Sequence, residues 1–214
     1  STNLIYDDES NSIKYPSVSR YVINHRLDIL PKNNLRIGLY EQVIFGGRQI
    51  PFEYLNPFTP YWSVQHSLGD LDNLQIGIDW EWIINHTRIY GALMIDEWNP
   101  FKTFDAENNH NWFGFQLGST LLISERKHIL LKSEISYLDP RTYNHRFLIN
   151  YPQHHQYNLG FWSGGHSLDG FIGLYFLQNE NSYYRLTFEH TQIGEQDVVK
   201  QYQNEPIECI EGVI

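Results

Sequence analysis

Apolar and polar residues alternate along most of this chain. The pattern is clearest from Asn73 to Ile84, where Leu74, Ile76, Ile78, Trp80 and Trp82 fall on one face and Asn73, Gln75, Gly77, Asp79 and Glu81 on the other. That period belongs to a β-strand. Tyr21, Ile23, Leu27 and Ile29 alternate with Asn24, Arg26 and Asp28, and Leu35, Ile37, Leu39, Val43 and Phe45 continue the pattern after Pro31-Lys32-Asn33-Asn34. Glu41 interrupts this second apolar face and predicts a bulge or a rim position. Further strands are predicted over Arg88–Asp96, Phe113–Ile123, Ile129–Tyr137, Leu168–Gln178 and Tyr183–Thr191, giving about eight in all.

The connections alternate in length. Pro31–Asn34, Asn85–Thr87, Glu125–Lys127 and Asn179–Ser182 are short, polar turns, whereas Gly46–Leu71, Glu97–Asn111 and Leu138–Ser167 are long. Short turns at one end and long loops at the other are the arrangement of outer-membrane barrels. The predicted fold is therefore all-β: an antiparallel transmembrane β-barrel with short periplasmic turns and long extracellular loops, residues 1–214 forming one barrel region. A soluble sheet packed on its own core would alternate in the same way. The segment from Gln192 onward reads as another polar loop, and the last residues, Gly212-Val213-Ile214, lack a final amphipathic strand. An incomplete strand set is expected.

The 41% hydrophobic and 19% charged content lies in the globular range, and no apolar run approaches the roughly 20 residues of a membrane helix. A mean hydropathy of -0.45 suits strands that cross a bilayer with one apolar face. Aromatic residues, 15% of the chain, suit interfacial girdles or a sugar-binding β-protein. The net charge of -10, without a Lys/Arg cluster, argues against nucleic acid as a partner. A single cysteine, Cys209, excludes an intrachain disulfide framework and CxxC metal sites. The chain begins at Ser1 without a leader, which places any export signal upstream or already removed.

Short motifs carry a resemblance. His25-Arg26-Leu27, Leu39-Tyr40-Glu41, Gly46-Gly47-Arg48, Tyr54-Leu55-Asn56-Pro57, Asp72-Asn73 and Ile95-Asp96-Glu97, with Gly160-Phe161-Trp162-Ser163-Gly164 through Leu168-Asp169, are similar to the capsule assembly protein Wzi family of outer-membrane barrels. They are spread from about Arg20 to Glu195. The resemblance implies a larger barrel than this chain supplies, localisation in the cell outer membrane, and non-catalytic attachment or assembly of surface polysaccharide. Its partners would be outer-membrane lipid and the glycan, with no cofactor.

The first long loop collects aromatic rings and planar polar groups, the two kinds of group that bind sugars. Arg48, Tyr54, Asn56, Trp62, His66, Asp72 and Asn73 are the candidate ligand-binding residues; Glu53, Tyr61, Gln65 and Asp70 lie among them. The same residues serve equally as an interface girdle, a loop core and turns. On the polar strand faces Asp79, Glu81, Arg88, Asp96, Arg185 and Glu189 are the candidate lumen residues, with Arg20, Arg26, Arg36, Lys132 and Glu134 alongside. Charges of both signs would either pair and fill an interior or line a porin-like channel, while Tyr40, Tyr90 and Met94 add bulk that favours filling.

Other constellations are weaker. Asp70, Asp72, Asp96 and Glu97 could supply oxygen ligands but lack a calcium-loop spacing, and His145, His154, His155 and His166 lack any zinc spacing. No metal is therefore predicted. Glu189 and His190 are neighbours on one strand and point to opposite faces, and Ser163 near His166 lies in no GxSxG elbow, so no enzyme is predicted. A porin-like channel and a soluble ligand-binding β-barrel are the competing functions.

Overall fold

The computed structural model describes residues 5–7, 12–14, 19–96, 112–145, 147–154, 157–179 and 182–194. Eight long strands form one antiparallel sheet: β1 (Arg20–Lys32), β2 (Leu35–Gly46), β3 (Asn73–Ile84), β4 (Thr87–Asp96), β5 (Trp112–Ser124), β6 (Ile129–Leu138), β7 (Ser167–Asn179) and β8 (Ser182–Ile193). Each pairs with its neighbours in sequence, so the sheet is a meander with β1 and β8 as its edges. The two edges do not pair with each other, and the sheet is not closed into a barrel. Two short ribbons, Ile5–Asp7 with Ser12–Lys14 and Gln153–His154 with Tyr157–Asn158, stand apart from it.

Register sorts the side chains into two faces. Leu39, Ile78, Leu93, Phe115, Tyr137 and Leu168 lie directly opposite one another across six strands, each 36–44% exposed. No part of the described chain covers this apolar row. Where hydroxyls fall on the same face they satisfy each other, Ser119 Oγ meeting Ser133 Oγ at 2.9 Å.

The opposite face is polar. Arg36, Glu81, Tyr90, Gly118, Glu134, Phe171 and Glu189 form one of its rows. Its charges pair: Arg26 with Asp28 at 2.8 Å and Asp79 at 2.5 Å, Arg88 Nε with Glu81 at 2.8 Å, Lys132 with Glu134 at 3.3 Å. Large side chains lie over glycines on the neighbouring strand, since a Cβ on Gly77 would meet Tyr40 Cζ at 2.2 Å and one on Gly118 would meet Tyr90 Cζ at 2.3 Å. These glycines create the space that the rings fill.

The short connections share one end of the sheet. Asn33–Asn34 joins β1 to β2 and Asn85–His86 joins β3 to β4, with Asn85 at a φ of 50°, a left-handed conformation that asparagine tolerates well. The first turn is shorter than the sequence predicts, because Pro31 lies within β1, where register shifts between Ile29 and Lys32. A proline without an N–H is admitted there because the ladder is interrupted at that irregularity.

At the other end the 47–72 loop differs from an open loop. It contains a 3-10 turn (Phe52–Leu55) and a helix, α1 (Tyr61–Ser67), and it folds back over the apolar face. Tyr54, Tyr61 and Val64 join Val43, Phe45 and Leu74 in a buried cluster, flanked by Tyr21, Ile23, Trp62, Leu68 and Ile76. Glu41 marks no bulge, since its ladder runs unbroken to His25 and Ile76. Its carboxylate accepts the Tyr61 N–H at 2.7 Å and pairs with His25 at 3.0 Å. The acid interrupts the apolar face because it holds the first residue of α1, where the helix leaves N–H groups without partners of their own.

Candidate functional site at the long-loop end

Four of the seven predicted ligand residues brace the loop from inside. The Arg48 guanidinium pairs with the Asp72 carboxylate, Tyr54 Oη donates to the same carboxylate at 2.7 Å, and Gln65 Nε2 donates to the Asp72 carbonyl at 2.7 Å. Tyr54 and Asp72 are 1% and 2% exposed. Burial raises the Asp72 pKa above the ordinary carboxylate value despite Tyr54 and Arg48, and burial together with the Asp72 hydrogen bond raises the Tyr54 phenol. Asn73, fully buried, donates from Nδ2 to the Asn150 carbonyl at 3.0 Å.

The other three reach the surface. Asn56 is exposed and its Oδ1 accepts the Phe58 N–H at 3.1 Å in a local turn. The half-buried Trp62 and exposed His66 lie one helical turn apart on α1, with ring centroids 4.4 Å apart. Phe52, Leu55 and Phe58 in the same loop are 85%, 57% and 92% exposed.

All six lumen candidates fall on the polar face: Asp79, Glu81 and Asp96 on β3 and β4, Arg88 on β4, Arg185 and Glu189 on the edge strand β8. The metal constellations are not assembled. Asp72 faces Arg48 while Asp96 accepts the Tyr143 N–H at 2.5 Å, and among the described residues no three His, Cys, Asp or Glu side chains converge as ligands. Glu97 and His155 lie outside the described residues, as do the 97–111 loop, Glu180–Asn181 and everything from Glu195 onward. His145 is buried, its Nδ1 accepting the Phe147 N–H at 3.0 Å. Ser163 Oγ donates to Ser167 Oγ at 2.7 Å, and Glu189 and His190 occupy opposite faces as expected.

The 139–166 loop runs to the other side of the sheet. Asp96 holds the Tyr143 N–H, Tyr143 Oη accepts the Phe161 N–H at 2.9 Å, and the Tyr143 ring lies against Gly160, where a Cβ would be 2.2 Å from it. Arg20 donates to the carbonyls of Tyr151 and of Gln153, the latter at 2.8 Å. Between this loop and the polar face is a cavity of about 350 Å³. Its floor carries Tyr40, Gln42, Gln75, Met94, Gln116 and Ser136, and its roof Tyr143, Leu159, Gly160 and Phe161. Tyr143 has a φ of 68°, a conformation strained for a bulky residue, and burial raises its phenol to about 12. The sequence reading did not assemble this site. Its signal was three uncharged glutamines on a face otherwise crowded with charge.

The fold thus defines a class: an eight-stranded antiparallel meander with one exposed apolar face, one polar face, and long loops folded onto opposite sides at one end. No protein-family model matches the chain, and neither does any curated protein or solved structure.

Proposed function

We propose that this sheet is part of a transmembrane β-barrel of an outer membrane, and that its long-loop end contacts surface polysaccharide without catalysis. The observation that carries the reading is the apolar face, exposed from β2 to β7 and, among the described residues, uncovered except where α1 lies on it. Monomeric soluble proteins rarely leave contiguous apolar patches above a few hundred Å² in water. Along β5 the apolar positions run from Phe113 to Ile123, about 33 Å at ~3.3 Å per residue, or roughly 25 Å of height at a barrel tilt near 40°. That is the height of a lipid-facing band. Free strand edges are not stable in lipid, so in the membrane β1 and β8 must each gain a partner, in one another or in further strands.

Membrane fractionation tests this. The protein is expected to sediment with membranes and to need detergent for extraction, with Trp82 quenched by lipid-borne quenchers. Solubility without detergent would overturn the membrane reading.

The polysaccharide contact draws on the motifs similar to the Wzi family and on Asn56, Trp62 and His66 at the surface of the first loop. Trp62→Ala and Asn56→Ala are expected to lower polysaccharide retention at the cell surface, and unchanged retention would dispose of the site. A porin-like channel draws on the charged polar face, but the 139–166 loop lies across that face. Stable conducting steps in planar bilayers would favour the channel.

A further inference from the structure

The cavity beneath the 139–166 loop has a feature that the fold leaves unused. Gln75 is 4% exposed, and its Oε1 accepts Gln42 Nε2 at 3.2 Å, but its own Nε2 has no partner among the described residues. A buried donor left unpaired has lost its hydration and gained nothing in exchange. Gln75 lines the cavity, as do the hydroxyl-bearing residues Tyr40, Ser136 and Tyr143, while Met94 and Phe161 supply apolar surface. None of the lining side chains carries a charge. The charges beside them are already engaged: Asp96 with the Tyr143 N–H, Glu134 with Tyr90, Gln116 and Lys132, and Arg26 and Asp79, near Tyr40, with each other.

We infer that this cavity is a binding site for a neutral, hydroxyl-rich small molecule of one or two sugar-sized rings, one of whose oxygens accepts the Gln75 Nε2–H. The volume of about 350 Å³ lies at the small end of ligand pockets. Apolar walls with a few converging amides and hydroxyls are the usual chemistry for orienting such a ligand. An anion would lose its hydration with no cationic side chain in the lining, and Arg26 near Tyr40 is already paired with Asp28 and Asp79. The loop that roofs part of the cavity is held by the strained Tyr143, which ties it to β4 through Asp96. The inference is independent of the polysaccharide contact at Asn56 and Trp62, which lie on the other side of the sheet.

The test uses the protein in a detergent without a sugar headgroup, with D-glucose and D-galactose as probes and D-glucuronate as the charged counterpart. Saturation-transfer NMR and titration calorimetry should detect binding of at least one neutral sugar, with glucuronate at least tenfold weaker. Gln75→Leu keeps the side chain's approximate size and removes the donor, and Ala92→Phe fills the cavity. Each should weaken binding tenfold or more. Arg126→Ala, in a turn at the far end, should leave it unchanged. Circular dichroism checks that each variant keeps its strand content, and Gln75→Leu suffices if Ala92→Phe does not fold. Absence of binding by the unsubstituted protein, which would leave water as the only occupant, overturns the inference. So does affinity unaltered by Gln75→Leu, or glucuronate binding as tightly as the neutral sugars.

Discussion

Replacing Leu117 with arginine separates lipid from water as the medium of the apolar face. Leu117 lies near the middle of β5, opposite Gly91 and Ile135, and is 49% exposed. In water, substitution of a half-exposed surface leucine changes stability by about 0.5 kcal/mol or less. At the middle of a bilayer an outward arginine costs about 2–4 kcal/mol, or roughly 30- to 700-fold in the folding equilibrium at 1.4 kcal/mol per tenfold. The cost depends on depth, so Ile123→Arg, near the short-turn end of the same strand and 52% exposed, should cost about 1 kcal/mol or less. Thr120→Arg, on the polar face, should cost little. Denaturant titration of the protein refolded into phospholipid vesicles measures all three. Equal, sub-kilocalorie effects at Leu117 and Ile123 would refute a lipid-facing band.

Three other outcomes are expected. The pKa of Asp72 is raised in the fold by burial, so the folded loop retains its proton to higher pH than the unfolded chain. Its contribution is therefore fully present below the ordinary aspartate value near 3.9 and is lost as pH rises through the raised value. Hydrogen exchange of the Leu68 amide, corrected for intrinsic rate, should show the loop opening more readily over that window, and Asp72→Asn should flatten the dependence. Glu41→Ala removes the charged acceptor of the Tyr61 N–H, worth about 1.5–3 kcal/mol. Exchange across α1 should accelerate roughly 10- to 150-fold, with Glu41→Gln intermediate, while the amides of β5 and β6 stay protected. Gly118→Val places side-chain atoms inside the Tyr90 ring position and breaks its hydrogen bond to Glu134, costing about 1–3 kcal/mol in urea midpoints; an unchanged midpoint would show that the ring is not fixed there.

The strands were legible because alternation is local. Asn73–Ile84 has the same bounds in sequence and structure, and the ordered loop lengths anticipated the meander with its turns at one end. The loops were much less legible, because their conformations depend on contacts far away in sequence. Pro60 followed by Tyr61, Val64 and Leu68 carries the spacing of one short helix. What holds the first residue of that helix is Glu41, twenty residues earlier, which alternation alone read as a bulge or a rim position. The same limit divides the candidate site. Arg48, Tyr54 and Asp72 were chosen for their chemistry, and the burial of Tyr54 and Asp72, with Arg48 paired to the acid, became visible only with the fold. Gln42 and Gln75 face each other only through strand pairing, so the cavity they floor is a property of register.

Asn73 and Asn150 act as a clasp between the two long loops. Asn73 Nδ2 donates to the Asn150 carbonyl at 3.0 Å, and Asn150 Nδ2 donates to the Leu71 carbonyl at 2.8 Å. One residue ends the loop on the apolar side and the other belongs to the loop on the polar side, yet they lie 77 residues apart in sequence. Contacts of such separation form only after the intervening chain has been brought together. Both acceptors are main-chain carbonyls, which any residue would supply, so the two halves of the clasp are separable: replacing Asn150 removes the bond to Leu71 and leaves the acceptor of Asn73 in place.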